Sequence, residues 1–177
     1  ITPRSSSDFA KKFEMNSASG EVDPAGNTAE WTRGVGGTYA AALSGGELAI
    51  DTMSGAASYI YWDSATWAAL SDNAQGWTVE ISLRVDAAVD PGGLGRAFTF
   101  FAGDGNAGYL QIGTSRTDWS GTLLDSHNNT DTFHVFRIAQ DASSASFQVW
   151  RDGVQIGTNL SQSYALDDLY FGDGTTG

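Results

Sequence analysis

Apolar and polar residues alternate along much of this chain. The clearest run is Trp77-Thr78-Val79-Glu80-Ile81-Ser82-Leu83-Arg84-Val85, apolar at every odd position and polar at every even one. A period of two sends the odd side chains to one face of a pleated strand and the even ones to the other, so one face meets a core and one meets water. Wound as a helix, the same apolar residues would circle the axis. Further short runs occupy Glu47 to Asp51, Ser58 to Trp62, Ala97 to Ala102, Tyr109 to Ile112, Phe133 to Ala139, Ser146 to Arg151, Val154 to Ile156 and Leu169 to Phe171. They are rich in the β-branched and aromatic residues that pack well on a pleated surface.

Turn chemistry separates these runs. Asp152-Gly153 stands between two of them and predicts a tight hairpin, because a type I′ turn needs positive φ at both central positions. Gly103-Asp104-Gly105-Asn106 and Asp90-Pro91-Gly92-Gly93 are further turn clusters. Only residues 63–70 read as helical, with Asp63 as a capping residue and helix formers after it, enough for a turn or two. Many short strands with this punctuation predict an all-β, antiparallel sandwich or barrel. No repeat or linker divides the chain. Residues 1–12 are expected to be an N-terminal extension and 13–177 a single sandwich domain of about 10–13 strands, in keeping with usual domain sizes.

Charge narrows the partners. Nine Lys and Arg oppose 21 Asp and Glu, for a formal net charge of −12 over 177 residues. Nucleic-acid backbones and anionic membrane surfaces both require a basic face, so neither is an expected partner. There is no cysteine, which excludes disulfides, thiolate metal sites and cysteine nucleophiles. The chain opens Ile1-Thr2-Pro3-Arg4 without a basic and then apolar leader. It reads as a mature fragment or an excised domain, with other domains of a parent protein as partners. Abundant Asp, Ser, Thr and Gly point to a secreted or cell-surface location.

Three segments carry a family likeness. Residues 77–85, 133–157 (FHVFRIAQDASSASFQVWRDGVQIG) and 169–174 (LYFGDG) resemble the concanavalin A-like lectin and glucanase superfamily, in particular the laminin G-type domains of secreted bacterial proteins. The resemblance implies an antiparallel jelly-roll sandwich, a concave sheet that holds ligand, and a structural calcium ion at a rim. Oxygen-rich loops suited to that ion include Asp104-Gly105-Asn106, Asp125 to Asp131, and Asp173 with Thr175. Such domains carry one more strand after the Phe-Gly-Asp-Gly turn. Here the chain stops at Gly177, so either the sheet closes differently or a strand has been removed.

Catalysis is harder to place. Glycoside hydrolysis uses two carboxyl groups about 5–9.5 Å apart, a spacing that strand positions i and i+2 provide at about 6.6 Å. The Glu-x-Asp-x-Glu strand of the glucanases is missing. The polar face of the clearest strand offers Glu80 with Arg84 beside it, expected as an ion pair. His127 lies in a polar loop, and His134 shares strand parity with Phe136 and Ile138. No nucleophile elbow accompanies either. No catalytic residue is assigned.

Sugar recognition uses exposed rings and planar polar groups. Parity leaves Tyr109 and Gln111 outward of Leu110 and Ile112, and Gln148 and Trp150 outward of Phe147 and Val149. Arg137 shares a face with Phe133 and Val135, where it could meet a sugar carboxylate or sulfate. Trp119 is expected in a polar loop, where an exposed ring would be notable. The resulting expectation is a noncatalytic carbohydrate-binding or adhesion domain that takes a polysaccharide on its concave sheet. Tyr109, Gln111, Arg137, Gln148 and Trp150 would line the site, with His127 and Asn129 at the rim. The alternatives are a polysaccharide lyase or glycoside hydrolase on the same scaffold, and a structural or protein-interaction module without a glycan site.

Overall fold

The structure is a computed structural model. It describes residues 31–36, 40–44, 47–51, 59–64, 66–72, 74–87, 96–161 and 164–173. The proposed 1–12 extension and the Asp90–Gly93 turn lie outside the described residues.

The described strands are β1 (Trp31–Gly36), β2 (Ala40–Ser44), β3 (Glu47–Asp51), β4 (Tyr59–Ser64), β5 (Trp77–Leu83), β6 (Arg96–Gly103), β7 (Ala107–Gly113), β8 (Thr117–Trp119), β9 (Thr122–Asp125), β10 (His134–Gln140), β11 (Ser146–Arg151), β12 (Val154–Ser161) and β13 (Leu169–Asp173). Seven form one sheet in the order β1-β4-β13-β6-β7-β8-β9. Four form a second in the order β12-β11-β10-β5, and β2 pairs with β3 in a small ribbon. Every pairing is antiparallel.

The two large sheets enclose one core. Phe100, Leu110, Ile112, Trp119 and Phe171 enter it from the seven-stranded sheet, and Trp77, Leu83, Phe136, Ile138, Phe147 and Val149 from the four-stranded one. Trp119 meets Phe147 across the layers at 5.2 Å, and Trp77 packs on the same Phe147 within the four-stranded sheet at 6.0 Å. The period-two run behaves as its pattern dictates, with the odd residues of β5 packed in this core. The Asp152-Gly153 turn takes φ values of 50° and 79°, the double positive φ of a type I′ hairpin.

One expectation is met only in part and two fail, each for a physical reason. The helical stretch expected within residues 63–70 is confined to one short turn. Asp63 and Ser64 pair in β4 with β1, and a single 3-10 turn, Trp67–Ala69, follows without a side-chain cap. Strand pairing takes the capping residues, and Trp67 buries its ring, donating Nε1–H to the Gly103 carbonyl at 2.5 Å. Trp119 is a core residue of β8, 4% exposed, with Nε1–H donated to the Ser161 carbonyl at 2.9 Å. Its polar neighbours disguised a three-residue strand that turns at Ser120-Gly121, where φ is 49° and 86°. Finally, Phe171-Gly172-Asp173 is no turn. It continues β13, which sits inside the sheet between β4 and β6.

Candidate functional site

Of the seven residues expected at one surface, the five expected to line it are divided between two. Tyr109 and Gln111 lie on the outer face of the seven-stranded sheet, opposite in parity to Leu110 and Ile112. Arg137, Gln148 and Trp150 lie on the outer face of the four-stranded sheet. The core separates the two groups, so they cannot share a ligand. Asn129 is no rim residue. It is buried, its Nδ2–H donates to the carbonyls of Gly113 (2.8 Å) and Arg116 (3.3 Å), and its Oδ1 accepts from Arg151 Nε–H at 3.0 Å. His127 is exposed and holds Asp125 through Nδ1.

On the four-stranded sheet the register aligns Glu80, Arg137, Trp150 and Gln155 in one row. Arg137 Nε–H donates to Glu80 Oε2 at 2.8 Å. The guanidinium is therefore occupied by a charge-assisted bond to its cross-strand neighbour, not held ready for an anionic sugar. Arg84, expected on Glu80, instead donates to Asp86 at 2.7 Å and lies 5.3 Å over the Phe133 ring. The amides pair similarly: Gln155 Nε2–H donates to Gln148 Oε1 at 2.8 Å, and Gln148 Nε2–H to Asp141 Oδ2 at 3.3 Å. Trp150 is 6% exposed. A shallow depression of about 220 Å³ at Gln155, Ile156, Gly157 and Thr158 lies along edge strand β12.

The seven-stranded face is organised differently. Tyr170, Phe101 and Tyr109 are direct cross-strand neighbours on β13, β6 and β7. The Tyr170 and Phe101 rings stack at 4.7 Å with 5° between planes. Tyr164 comes in from the segment between β12 and β13, held by two backbone hydrogen bonds to Ala107. Its ring lies 5.9 Å from Tyr109 and 6.1 Å from Phe101. Phe101 is 2% exposed beneath this cluster, while Tyr164 is 50% exposed. One step of two residues along the strands, about 6.6–6.8 Å away, the same face carries a polar row: Thr99, Gln111 and Asp118. Asp118 is fully buried and chelated by Arg116 through Nε–H at 2.7 Å and Nη2–H at 2.5 Å. Gln111 is 7% exposed, and among the described residues no donor reaches its buried Oε1. A buried carbonyl oxygen left without a donor costs about 1–3 kcal/mol.

Sequence reasoning found Tyr109 and Gln111 but missed Phe101, Tyr164, Tyr170, Thr99 and Asp118. In Phe98-Thr99-Phe100-Phe101 adjacent aromatics blur the parity, and Tyr164 belongs to no strand. Only the register across β13, β6 and β7 brings them together.

Charged groups gather at two other places. His134 is buried at the start of β10, with Nδ1 2.7 Å from Asp152 Oδ2 and Nε2 2.9 Å from Asp131 Oδ1. The His134 hydrogen bond, helped by backbone N–H groups, holds the Asp131 carboxyl below the usual range. Burial works against ionisation of Asp152, yet the Val135 N–H, His134 and Arg151 together hold it low as well. Asp167 is pushed the other way, up, by partial loss of hydration and by repulsion from Asp104 and Asp168. Among the described residues no three His, Asp or Glu side chains gather in a way that could hold a metal ion.

No protein-family model matches the chain, and no curated protein does. Solved structures that share its architecture include the following two. A conserved carbohydrate esterase of the Shiga toxin-encoding bacteriophage phi24B is 18% identical with a TM-score of 0.57, the match covering 85% of each chain. A protein of unknown function from Shewanella oneidensis MR-1 is 12% identical with a TM-score of 0.54, over 84% of this chain and 72% of its own. The chain is thus similar in fold to both.

Proposed function

We propose that this chain is a noncatalytic carbohydrate-binding domain of jelly-roll, concanavalin A-like type, working outside the cell as part of a larger protein. The ligand lies on the outer face of the seven-stranded sheet. The observation that carries this reading is the pairing of two rows: stacked rings ending in the half-exposed Tyr164, and beside them the Oε1 of Gln111, which has no donor among the described residues. A sugar presents the same two chemistries, C–H faces that pack on rings and hydroxyls that donate hydrogen bonds. A sugar hydroxyl met by a turn of the Gln111 amide would supply the donor that no described residue gives Oε1. With Asp118 already matched by Arg116 and a net charge of −12, the face suits neutral polysaccharides over acidic ones. The fold neighbour that is a carbohydrate esterase adds support for a carbohydrate partner.

Affinity electrophoresis through gels cast with a panel of neutral plant and algal polysaccharides tests this. The chain is retarded on at least one of them, and the retardation is lost in Tyr164→Ala. Free migration on every polysaccharide would overturn the reading.

A further inference from the structure

We infer that His134 is a proton-driven switch that exchanges Arg151 for Asp131 at one ring nitrogen and so sets the position of the 126–133 loop. Two groups of opposite character reach the same atom. Asp131 Oδ1 lies 2.9 Å from His134 Nε2, and Arg151 Nη2 lies 3.1 Å from it. A carboxylate only accepts hydrogen bonds and a guanidinium only donates them. The neutral ring, with its proton on Nδ1, donates to Asp152 and accepts the Arg151 N–H at Nε2. The protonated ring still donates to Asp152, but its Nε2–H now donates to Asp131 and offers Arg151 no lone pair. It also places a second positive charge against the guanidinium, where water screens little because the ring is buried.

Arg151 is what carries the change outward. Its Nη2–H donates to the Asn128 carbonyl at 2.5 Å, its Nε–H to Asn129 Oδ1 at 3.0 Å, and its Nη1 lies 3.3 Å from Asp152 Oδ2. Asn129 then bridges to the Gly113 and Arg116 carbonyls, donates its own backbone N–H to Thr114 at 2.8 Å, and accepts from Val85 at 3.0 Å. Gly113 closes β7 two residues beyond Gln111, and Arg116 clamps Asp118. The charged groups facing the ring come from the loop (Asp131) and from the β11–β12 hairpin (Arg151 and Asp152). Across β10 its register partner on β5 is Leu83, which brings no charge. Asp152 is the fixed anchor and Nε2 the alternating contact.

Titration of ¹⁵N-labelled full chain by heteronuclear NMR reads the exchange directly. The imidazole nitrogens and the backbone amides of Asn129 and Gly113 move together through one midpoint. In Asp131→Ala that midpoint falls to lower pH than in the parent, because the second ring proton has lost its acceptor. In Arg151→Gln the ring still titrates while the two amides stop following it. Amides that ignore the ring in the parent protein, or a midpoint unmoved in Asp131→Ala, would overturn the switch.

Discussion

Gly108 faces the indole of Trp119 so closely that a Cβ on it would stand 1.9 Å from Cζ2 and 2.2 Å from Cη2. The contact joins β7 to β8 inside the core. Trp119 cannot retreat, because its far side packs on Phe147 and its Nε1–H is tied to Ser161 on β12. A methyl group therefore has to displace the indole or part the two strands. Overpacking of a filled core costs about 1–3 kcal/mol. Gly108→Ala is expected at the upper end of that range, read as a lower urea midpoint with an unchanged slope.

Tyr164 separates binding from stability. Half of its surface is in water, and its contacts are rings of the proposed site, not the inter-sheet core. Tyr164→Ala should cost less than about 1 kcal/mol of stability, since an aromatic pair is worth about 0.5–1.5 kcal/mol beyond its buried area and solvent replaces part of it. Losing the ring that packs on a sugar should weaken binding about tenfold, which is 1.4 kcal/mol. Tyr164→Phe should retain most of the affinity. A titration by calorimetry on whichever polysaccharide retards the parent chain distinguishes the two variants.

Gln111 should show the opposite sign for stability. Its Oε1 is buried without a donor among the described residues, a penalty that the unliganded fold bears. Gln111→Leu keeps the volume and removes the unpaired oxygen, so the free protein should gain about 1 kcal/mol. Affinity for the polysaccharide should fall at the same time, because the hydroxyl that completed the pair loses its acceptor. Denaturant melts with and without ligand give both numbers, and a variant that loses stability in the free state would contradict the assignment.

How far the sequence carried these conclusions depends on what its local pattern could encode. Strand parity in β5, β7, β10 and β11 was legible because core and outer residues alternate cleanly there. The Asp152-Gly153 hairpin was legible because its turn chemistry is unambiguous. β8 was not, because its three residues read as a polar loop until Trp119 is seen to occupy the gap left by Gly108. Parity also could not say which sheet an outward residue belongs to. Tyr109 and Trp150 both point away from the core, yet they do so on opposite sides of the sandwich. The Glu80–Arg137 pair joins residues 57 positions apart. Only the β5–β10 register brings them side by side, so the sequence instead suggested the nearer Arg84.

Asp167 offers a pH-dependent test of the charge cluster beside β13. Partial loss of hydration and then the repulsion of Asp104 and Asp168 raise its carboxyl above the ordinary value. A raised carboxyl means that the folded chain holds this proton more tightly than the unfolded chain does. Below about pH 3, both states are protonated and the residue contributes no difference. As pH rises through the unfolded value, about 3.9, the unfolded chain ionises first and stability is lost until the folded carboxyl has ionised too. Above that window the loss is constant. Asp167→Asn removes it, so the variant should melt higher than the parent at pH 7 and level with it near pH 3. The residue is exposed, so solvent screening keeps the gain to about 1 °C. Added salt should shrink the difference further, since it weakens the same repulsion. Thermal melts of both proteins at the two pH values and two ionic strengths check each part, and an Asn variant less stable at neutral pH would show that Asp167 is held by an attractive partner.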